Sequence, residues 1–92
     1  MNKNQMAKLV SERTKLKKAD CLNCINAITQ LIKDGMRNGE SISLKEFGSF
    51  STKYRKEKYV YNLATRSPLL IGARKVPTFK PTNAFKRAIN DG

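Results

Sequence analysis

Histidine is absent from this chain, and cysteine occurs only twice, as Cys21 and Cys24. The pair has the C-x-x-C spacing of metal and redox motifs, but with no imidazole and no further thiolate one chain cannot complete a closed zinc site. Both cysteines fall on an apolar helical stripe, where a free thiol packs as a small hydrophobe, and a cytosolic disulfide is not expected. No histidine can act as general base, and no glycine-rich phosphate loop precedes a helix. Glu12, Asp20, Asp34, Glu40 and Glu46 are spread along helices and turns as solvated charge. These absences predict a protein that is not an enzyme, carries no cofactor or metal and takes no small-molecule substrate. There is no run of 18 apolar residues to span a membrane, and Met1-Asn2-Lys3-Asn4-Gln5 is too polar to begin a signal peptide. A cytoplasmic location is therefore expected.

Acidic residues are also scarce. The 92 residues hold 7 Asp and Glu against 19 Lys and Arg, a net charge of +12. That excess is far beyond what solubility requires and points to a polyanionic partner. Residues 1 to 50 carry 9 basic and 5 acidic side chains, residues 51 to 92 carry 10 and 2, so the second half is the expected contact surface. An anionic membrane would attract the same charge, but binding one needs an apolar helical face left free by the core, and no helix here has one to spare.

The length allows one domain, 1–92. A monomer of this size buries roughly two-thirds of its chain surface, and setting aside a charged excursion at 53–75 leaves about 70 residues to build a core, a marginal number without association. A dimer is expected, with its stability tied to subunit contact.

Along the chain, Asn2 and Gln5 have capping-box spacing, and Met6, Leu9 and Val10 recur at helical intervals, predicting a first helix over 3–13. Residues 14–17 form a break in which Leu16 is placed to pack against the next helix. Within 18–38, Cys21, Leu22, Cys24, Ile25, Ile28, Leu31, Ile32 and Met36 form a stripe wide enough for burial on two sides, against a helix and a second subunit. Lys17 is a poor N-cap, Gly35 weakens the last turn by about 1 kcal/mol relative to alanine, and Gly39 stops the helix. From Ser41 the period becomes two: Ile42 and Leu44 alternate with polar residues, then Phe47 and Phe50 straddle Gly48, a bulge or a close backbone approach. The two strands meet near Lys45-Glu46. The second is expected to run outward through residues 53–61 and a return strand to cover 69–80, with Pro77 and Pro81 confining it to an edge or a bulge and then ending it. Thr82 caps a last helix in which Ala84, Phe85, Ala88 and Ile89 face inward and Lys86, Arg87 and Asn90 outward.

The basic stretch carries the functional signal. Along a two-stranded ribbon alternate residues share a face, which places Lys53, Arg55 and Tyr59 on one side and Lys56, Lys58 and Val60 on the other. Such a ribbon can enter or straddle a nucleic-acid groove with its cations on phosphates. A hairpin merely solvated by charge is the plainer alternative, and it is disfavoured because Glu57 is the only acidic residue within the excursion.

The segments Leu44-Lys45-Glu46-Phe47-Gly48-Ser49-Phe50 and Arg74-Lys75-Val76-Pro77-Thr78-Phe79-Lys80-Pro81, with the charged excursion between them and a short helix after, resemble the HU/IHF family of small bacterial DNA-bending proteins. The likeness runs from Met1-Asn2-Lys3 to Ala84-Phe85-Lys86. It implies an α+β fold: an N-terminal helical hairpin, a three-stranded antiparallel saddle with an extended β-ribbon arm, and a short C-terminal helix, assembled as an intertwined homodimer. The implied parts are a helical dimerisation region over 1–40, the saddle over 41–81 with its arm at about 53–75, and the last helix over 82–92. It further implies Phe47, Gly48, Phe50, Val76, Pro77 and Phe79 in the saddle, and a dimer core of Leu31, Ile32, Leu44, Phe47, Phe50 and Phe79. DNA contact is implied for Lys3, Arg55, Lys58, Asn62 and Lys86, with Lys53, Lys56, Arg74, Lys75 and Lys80 extending the surface and Tyr61, Leu63 and Arg66 at the arm tip.

The resemblance stops at that tip. Where the family reads Gly-Arg-Asn-Pro, two variable residues, then Gly and a basic residue, this chain reads Val60-Tyr61-Asn62-Leu63-Ala64-Thr65-Arg66-Ser67. Leu63 replaces the wedging proline, Tyr61 an arginine and Arg66 the turn glycine, which predicts a differently shaped turn and weaker kinking, with Leu63 still entering the groove and Pro68 the alternative, displaced wedge. Asn83 stands where the family commonly has a lysine. The implied function is architectural: a nucleoid-associated, cytoplasmic protein that binds and bends double-stranded DNA with little sequence preference, its arms in the minor groove. Alternatives are a site-specific IHF-like or phage-type bender, a heterodimer with a paralogue, and an RNA-binding or general interaction module using the same charge.

Overall fold

The computed structural model describes residues 1–91. The chain forms two compact units, the first being residues 1–35 and the second beginning at Met36.

The first unit holds α1 (Lys3–Thr14) and most of α2 (Lys18–Arg37). The capping box is formed: the Asn2 side chain accepts from the Gln5 N–H at 2.9 Å, and Gln5 Oε1 accepts from the Asn2 N–H at 3.0 Å. Lys15 ends α1 in the left-handed conformation (φ 65), its N–H donating to Ser11 O at 2.9 Å. The break is pinned by Ser11 Oγ donating to Leu16 O at 2.6 Å and Leu16 N–H donating to Thr14 Oγ1 at 3.3 Å. Leu16 is thereby held by its backbone, and its side chain is exposed rather than packed on the next helix. Along the α2 stripe Cys21 is buried and Leu22, Ile25 and Ile32 are half-buried, but Cys24, Ile28 and Leu31 are exposed, Leu31 at 69%. The two cysteines thus differ, since Cys24 lies at the open side of the stripe. Gly35 is accommodated without ending the helix, which stops where Gly39 (φ 80) donates to Met36 O at 3.1 Å.

The second unit contains β1 (Ile42–Leu44), β2 (Gly48–Arg55), β3 (Lys58–Asn62), β4 (Ser67–Ile71), β5 (Arg74–Pro81) and α3 (Asn83–Asp91). β1, β2 and β5 form an antiparallel sheet in the order β1-β2-β5, and β3 and β4 form a separate two-stranded ribbon. The outward and return strands are therefore not continuous: Lys56-Glu57 interrupts one and Gly72-Ala73 the other. Two residues outside the ladder on each side separate sheet from ribbon, and the prolines of β5 lie on an edge, where a missing N–H costs no ladder bond.

The core of this unit is phenylalanine. Phe47, placed by the Lys45–Phe47 turn with Glu46 at φ 63, stands 5.0 Å from Phe85 edge-on and 5.3 Å from Phe79, and Phe79 is 4.8 Å from Phe50. Such pairs add about 0.5–1.5 kcal/mol each beyond area burial. Gly48 makes the approach possible, because a Cβ there would meet Phe79 ring carbons at 2.5 Å and Lys80 O at 2.8 Å. Gly48 opens β2 and pairs one-to-one with Leu44 and with Pro81, so it is a close approach and not a bulge. Thr82 closes the unit: its N–H donates to Phe47 O at 3.0 Å and its hydroxyl accepts from Phe85 N–H at 3.1 Å, capping α3 as expected. Ala84 and Phe85 are half-buried, whereas Ala88 and Ile89, expected to face inward, are exposed, Ile89 at 65%. The helix is too short and its neighbouring sheet too narrow for the second turn to be covered within the unit. The expected end of this helix at Gly92 lies outside the described residues.

Candidate nucleic-acid interface

Strand pairing sorts the side chains of the three-stranded sheet into two unlike faces, because residues opposite one another in a ladder share a side and neighbours along a strand alternate. The pairs Ile42↔Phe50, Leu44↔Gly48, Phe50↔Phe79, Thr52↔Pro77 and Tyr54↔Lys75 put one face toward the phenylalanine cluster. The pairs Ser43↔Ser49, Ser49↔Lys80, Ser51↔Thr78, Lys53↔Val76 and Arg55↔Arg74 build the other. That second face carries Lys53, Arg55, Arg74 and Lys80 among small hydroxyl residues, with Val76 its one large apolar side chain. Ser43 and Ser49 hydrogen-bond across it at 3.1 Å.

Arg55 and Arg74 are directly opposite and both exposed. Like charges in that position destabilise a sheet by tenths of a kcal/mol, which an anion lying over both guanidinium groups would reverse. Farther along the same face, a recess of about 400 Å³ is lined by Ser49, Lys80, Pro81, Thr82 and Asn83, at the start of α3.

The remaining sequence-predicted positions separate. Lys75 lies on the phenylalanine face beside Tyr54, not with the other cations. Lys56 is in the two-residue break, and Lys86 is exposed on α3. Lys3 belongs to the first unit, at the start of α1. The proposed sides of the excursion are corrected by the break: Lys58, Val60 and Asn62 share a ribbon face with Ser67, Leu69 and Ile71, while Tyr59 and Tyr61 share the other with Leu70 and Pro68. Lys53 and Arg55 are sheet residues and Tyr59 a ribbon residue, so no alternation connects them.

At the tip, Asn62 Oδ1 accepts from the Ala64 N–H at 2.9 Å, and the Thr65 and Ser67 hydroxyls are 2.8 Å apart. Leu63 projects from this turn and is 81% exposed. Arg66 adopts φ 54, so the left-handed turn position is kept by an arginine, at a cost of about 1 kcal/mol, instead of being avoided by a different turn. Pro68 is not at the tip but in the ladder, opposite Tyr61.

Sequence reasoning missed Ser49, Ser51 and Thr78 as members of the cationic face. Their signal was available in the alternation of Ser49, Ser51, Lys53 and Arg55, once a partner strand is aligned to it. Among the described residues, no group of three or more His, Cys, Asp or Glu side chains comes together to hold a metal ion, and no helix is long and apolar enough to cross a membrane.

Residues 1–90 match the family model described as "Bacterial DNA-binding protein". The chain is 36% identical over 90 residues to the "DNA-binding protein HRL18" of Rhizobium leguminosarum, covering 98% of this chain and 99% of that one. It is 35% identical over 89 residues to the "DNA-binding protein HU 1" of Bacillus subtilis, covering 97% of each. The cocrystal structure of Anabaena HU with DNA superposes with a TM-score of 0.92 at 26% identity, over 100% of both chains. A match of this extent, on the same two-helix, saddle, ribbon and helix order, makes the chain a member of the bacterial DNA-binding protein family to which HU belongs.

Proposed function

We propose that the protein binds and bends double-stranded DNA as an architectural, nucleoid-associated factor of the cytoplasm, with little sequence preference and no catalytic role. The observation that carries this reading is the one-sided sheet. Lys53, Arg55, Arg74 and Lys80 lie on the face turned away from the phenylalanine cluster, where cations neutralise phosphates irrespective of base sequence. Membership in a family whose relatives are named for DNA binding supports it, as does the likeness to an HU bound to DNA. Lys58 and Lys86 add phosphate contacts, and Leu63 is the side chain that reaches a base step, since leucine is among the residues known to wedge.

The working form is a homodimer. Its support is the apolar surface left open in each unit, Ile28 and Leu31 on α2, and Leu44, Phe47, Phe79 and Ile89 in the second. A partner copy seated there would bury the Leu31, Ile32, Leu44, Phe47, Phe50 and Phe79 set.

Gel shifts of random linear duplex DNA, nicked DNA and duplex RNA at two salt concentrations test this reading. Expected is binding to both DNAs with a log–log salt slope of roughly −4 to −8, and weak binding to RNA, whose wide, shallow minor groove fits a ribbon poorly. Salt-insensitive binding, or equal affinity for RNA, would refute it.

A further inference from the structure

Asn38-Gly39 is the only place in the chain where an asparagine precedes a glycine. In water this is the most reactive asparagine sequence, because a following glycine has no Cβ to shield its nitrogen from the asparagine side chain. Both residues are exposed, in the turn that follows α2. Gly39 adopts φ 80, and nothing lies within 4 Å of its Cβ position, so it stands clear of other side chains.

What restrains the pair is a single carbonyl. Met36 is the penultimate residue of α2, and its oxygen is one of those that a helix end leaves without an internal partner. That oxygen accepts from the Gly39 N–H at 3.1 Å and also from the Thr52 hydroxyl at 2.8 Å. The glycine nitrogen that would react is therefore the donor of the bond that stops the helix. Thr52 belongs to β2, where it pairs with Pro77 of β5, so the sheet fixes the acceptor from outside the turn. We propose that Asn38 is a site of spontaneous deamidation whose rate is set by opening of the α2 terminus, and that the Thr52 hydroxyl is the group that keeps that terminus closed.

The reaction needs only water and hydroxide. When the Gly39 N–H leaves Met36 O, hydroxide takes its proton and the nitrogen attacks Cγ of Asn38. The bond from Cγ to Nδ2 breaks, and Nδ2 departs as ammonia with a proton from water. Water then opens the cyclic imide at one of its two carbonyls, giving aspartate, or isoaspartate with the main chain rerouted through Cβ and Cγ. While the N–H is bonded to Met36 O, loss of its proton is disfavoured and the nitrogen is fixed in the helix-ending conformation, so the reaction runs through the locally open turn. Either product places a carboxylate at the negative end of the α2 dipole and lowers the net charge of +12 by one. Isoaspartate also adds a carbon to the main chain between α2 and β1, so the Gly39 to Met36 bond cannot form again as before. The change is thus directed at the joint between Met36 and Ile42, and it needs no DNA.

The test follows isoaspartate by enzymatic methyl transfer, with peptide mapping by mass, at mildly alkaline pH. Wild type, Thr52→Val, Thr52→Ser and Asn38→Gln are compared, each folded and each unfolded in guanidinium. The folded wild type should react at residue 38, more slowly than when unfolded. Folded Thr52→Val should react about two- to tenfold faster than folded wild type, the span that loss of one net hydrogen bond allows. Thr52→Ser, which keeps the hydroxyl, should stay near wild type, and Asn38→Gln should be silent at this position. All Thr52 variants should react alike when unfolded, since the sequence around Asn38 is the same in each. Circular dichroism establishes that Thr52→Val is folded. Hydrogen exchange at the Gly39 amide of the wild type reads the same opening without any variant, and its protection factor should match the ratio of unfolded to folded deamidation rates.

A folded wild type that deamidates as fast as the unfolded chain would overturn the inference. So would a Thr52→Val rate equal to that of wild type, an unprotected Gly39 amide, or reaction mapped first to another asparagine. No reaction at Asn38 in the folded chain, with or without the Thr52 hydroxyl, would do the same.

Discussion

Gly48→Ala adds one methyl group at the tightest point of the second unit. An ideal Cβ there stands 2.5 Å from both Cε1 and Cζ of Phe79 and 2.8 Å from the carbonyl oxygen of Lys80, against an optimal carbon–carbon separation of about 3.5–4.0 Å. Something must retreat by about 1 Å. The ring cannot do so freely, because Phe79 lies 4.8 Å from Phe50 and 5.3 Å from Phe47. The oxygen cannot either, since it belongs to β5, whose Pro81 pairs with Gly48 itself. The destabilisation should fall in the upper part of the overpacking range, about 2–3 kcal/mol. Urea unfolding at one fixed protein concentration measures it, as a lower midpoint with an unchanged slope. Gly72→Ala is the control: nothing lies within 4 Å of its Cβ position, so it should be neutral or stabilising by up to about 1 kcal/mol. Trimming the ring in Gly48→Ala/Phe79→Leu should recover part of the stability. A Gly48→Ala protein no less stable than Gly72→Ala would refute the steric reasoning.

Thr82→Ala removes the cap on Phe85 and a hydroxyl donor to Phe47 O at 3.3 Å, and should cost about 1–2 kcal/mol in the same assay, with Thr82→Ser recovering most of it. Arg55→Gln or Arg74→Gln should act with opposite signs in two measurements: the free protein gains up to about 0.5 kcal/mol as like-charge repulsion disappears, while DNA affinity at low salt falls. Leu63→Ala should reduce the bend of a short duplex measured by energy transfer between its ends, and Leu63→Pro should increase it, because proline brings its φ already fixed whereas leucine gives up about 0.5–1 kcal/mol of rotamer freedom on insertion. An unchanged bend in Leu63→Ala would remove this side chain from the mechanism.

What the sequence disclosed was set by how local the cause is. The Asn2–Gln5 box, the Gly39 stop and the Thr82 cap each depend on residues within a few positions, and each was legible. The close approach at Gly48 was half legible: the glycine between two phenylalanines marked the place, but its reason is Phe79, some thirty residues on. The division of the excursion was missed because β propensity persists through Lys53 to Tyr61, and pairing ends at Lys56 for reasons seated in the opposite strand, at Gly72-Ala73. Missing that break moved Tyr59 into company with Lys53 and Arg55 and hid the uncharged ribbon face. Lys75 stands apart from Arg74 for a related reason. Composition counts it with Arg74, but adjacent strand residues point to opposite faces, and register decides which of the two joins the cations.

The separation of charge from aromatic surface predicts how binding divides in time. On the proposed DNA binding, long-range attraction would act through Lys53, Arg55, Arg74 and Lys80 before any close contact exists, and these residues should set the encounter rate and its salt dependence. The ribbon, paired over five residues from Lys58↔Ile71 to Asn62↔Ser67, spans roughly 17 Å at strand rise and carries little charge to steer with. Its Tyr59–Tyr61 face, if it meets the duplex, would act only once seated, and therefore on dissociation. Stopped-flow mixing with a short duplex should show Arg55→Gln slowing association most at low salt, with the Tyr59→Ala/Tyr61→Ala pair leaving association nearly unchanged and speeding release about tenfold or more. If instead the tyrosine pair slowed association and left release untouched, the ribbon would be part of the encounter surface, and the division of labour between sheet and ribbon would be wrong.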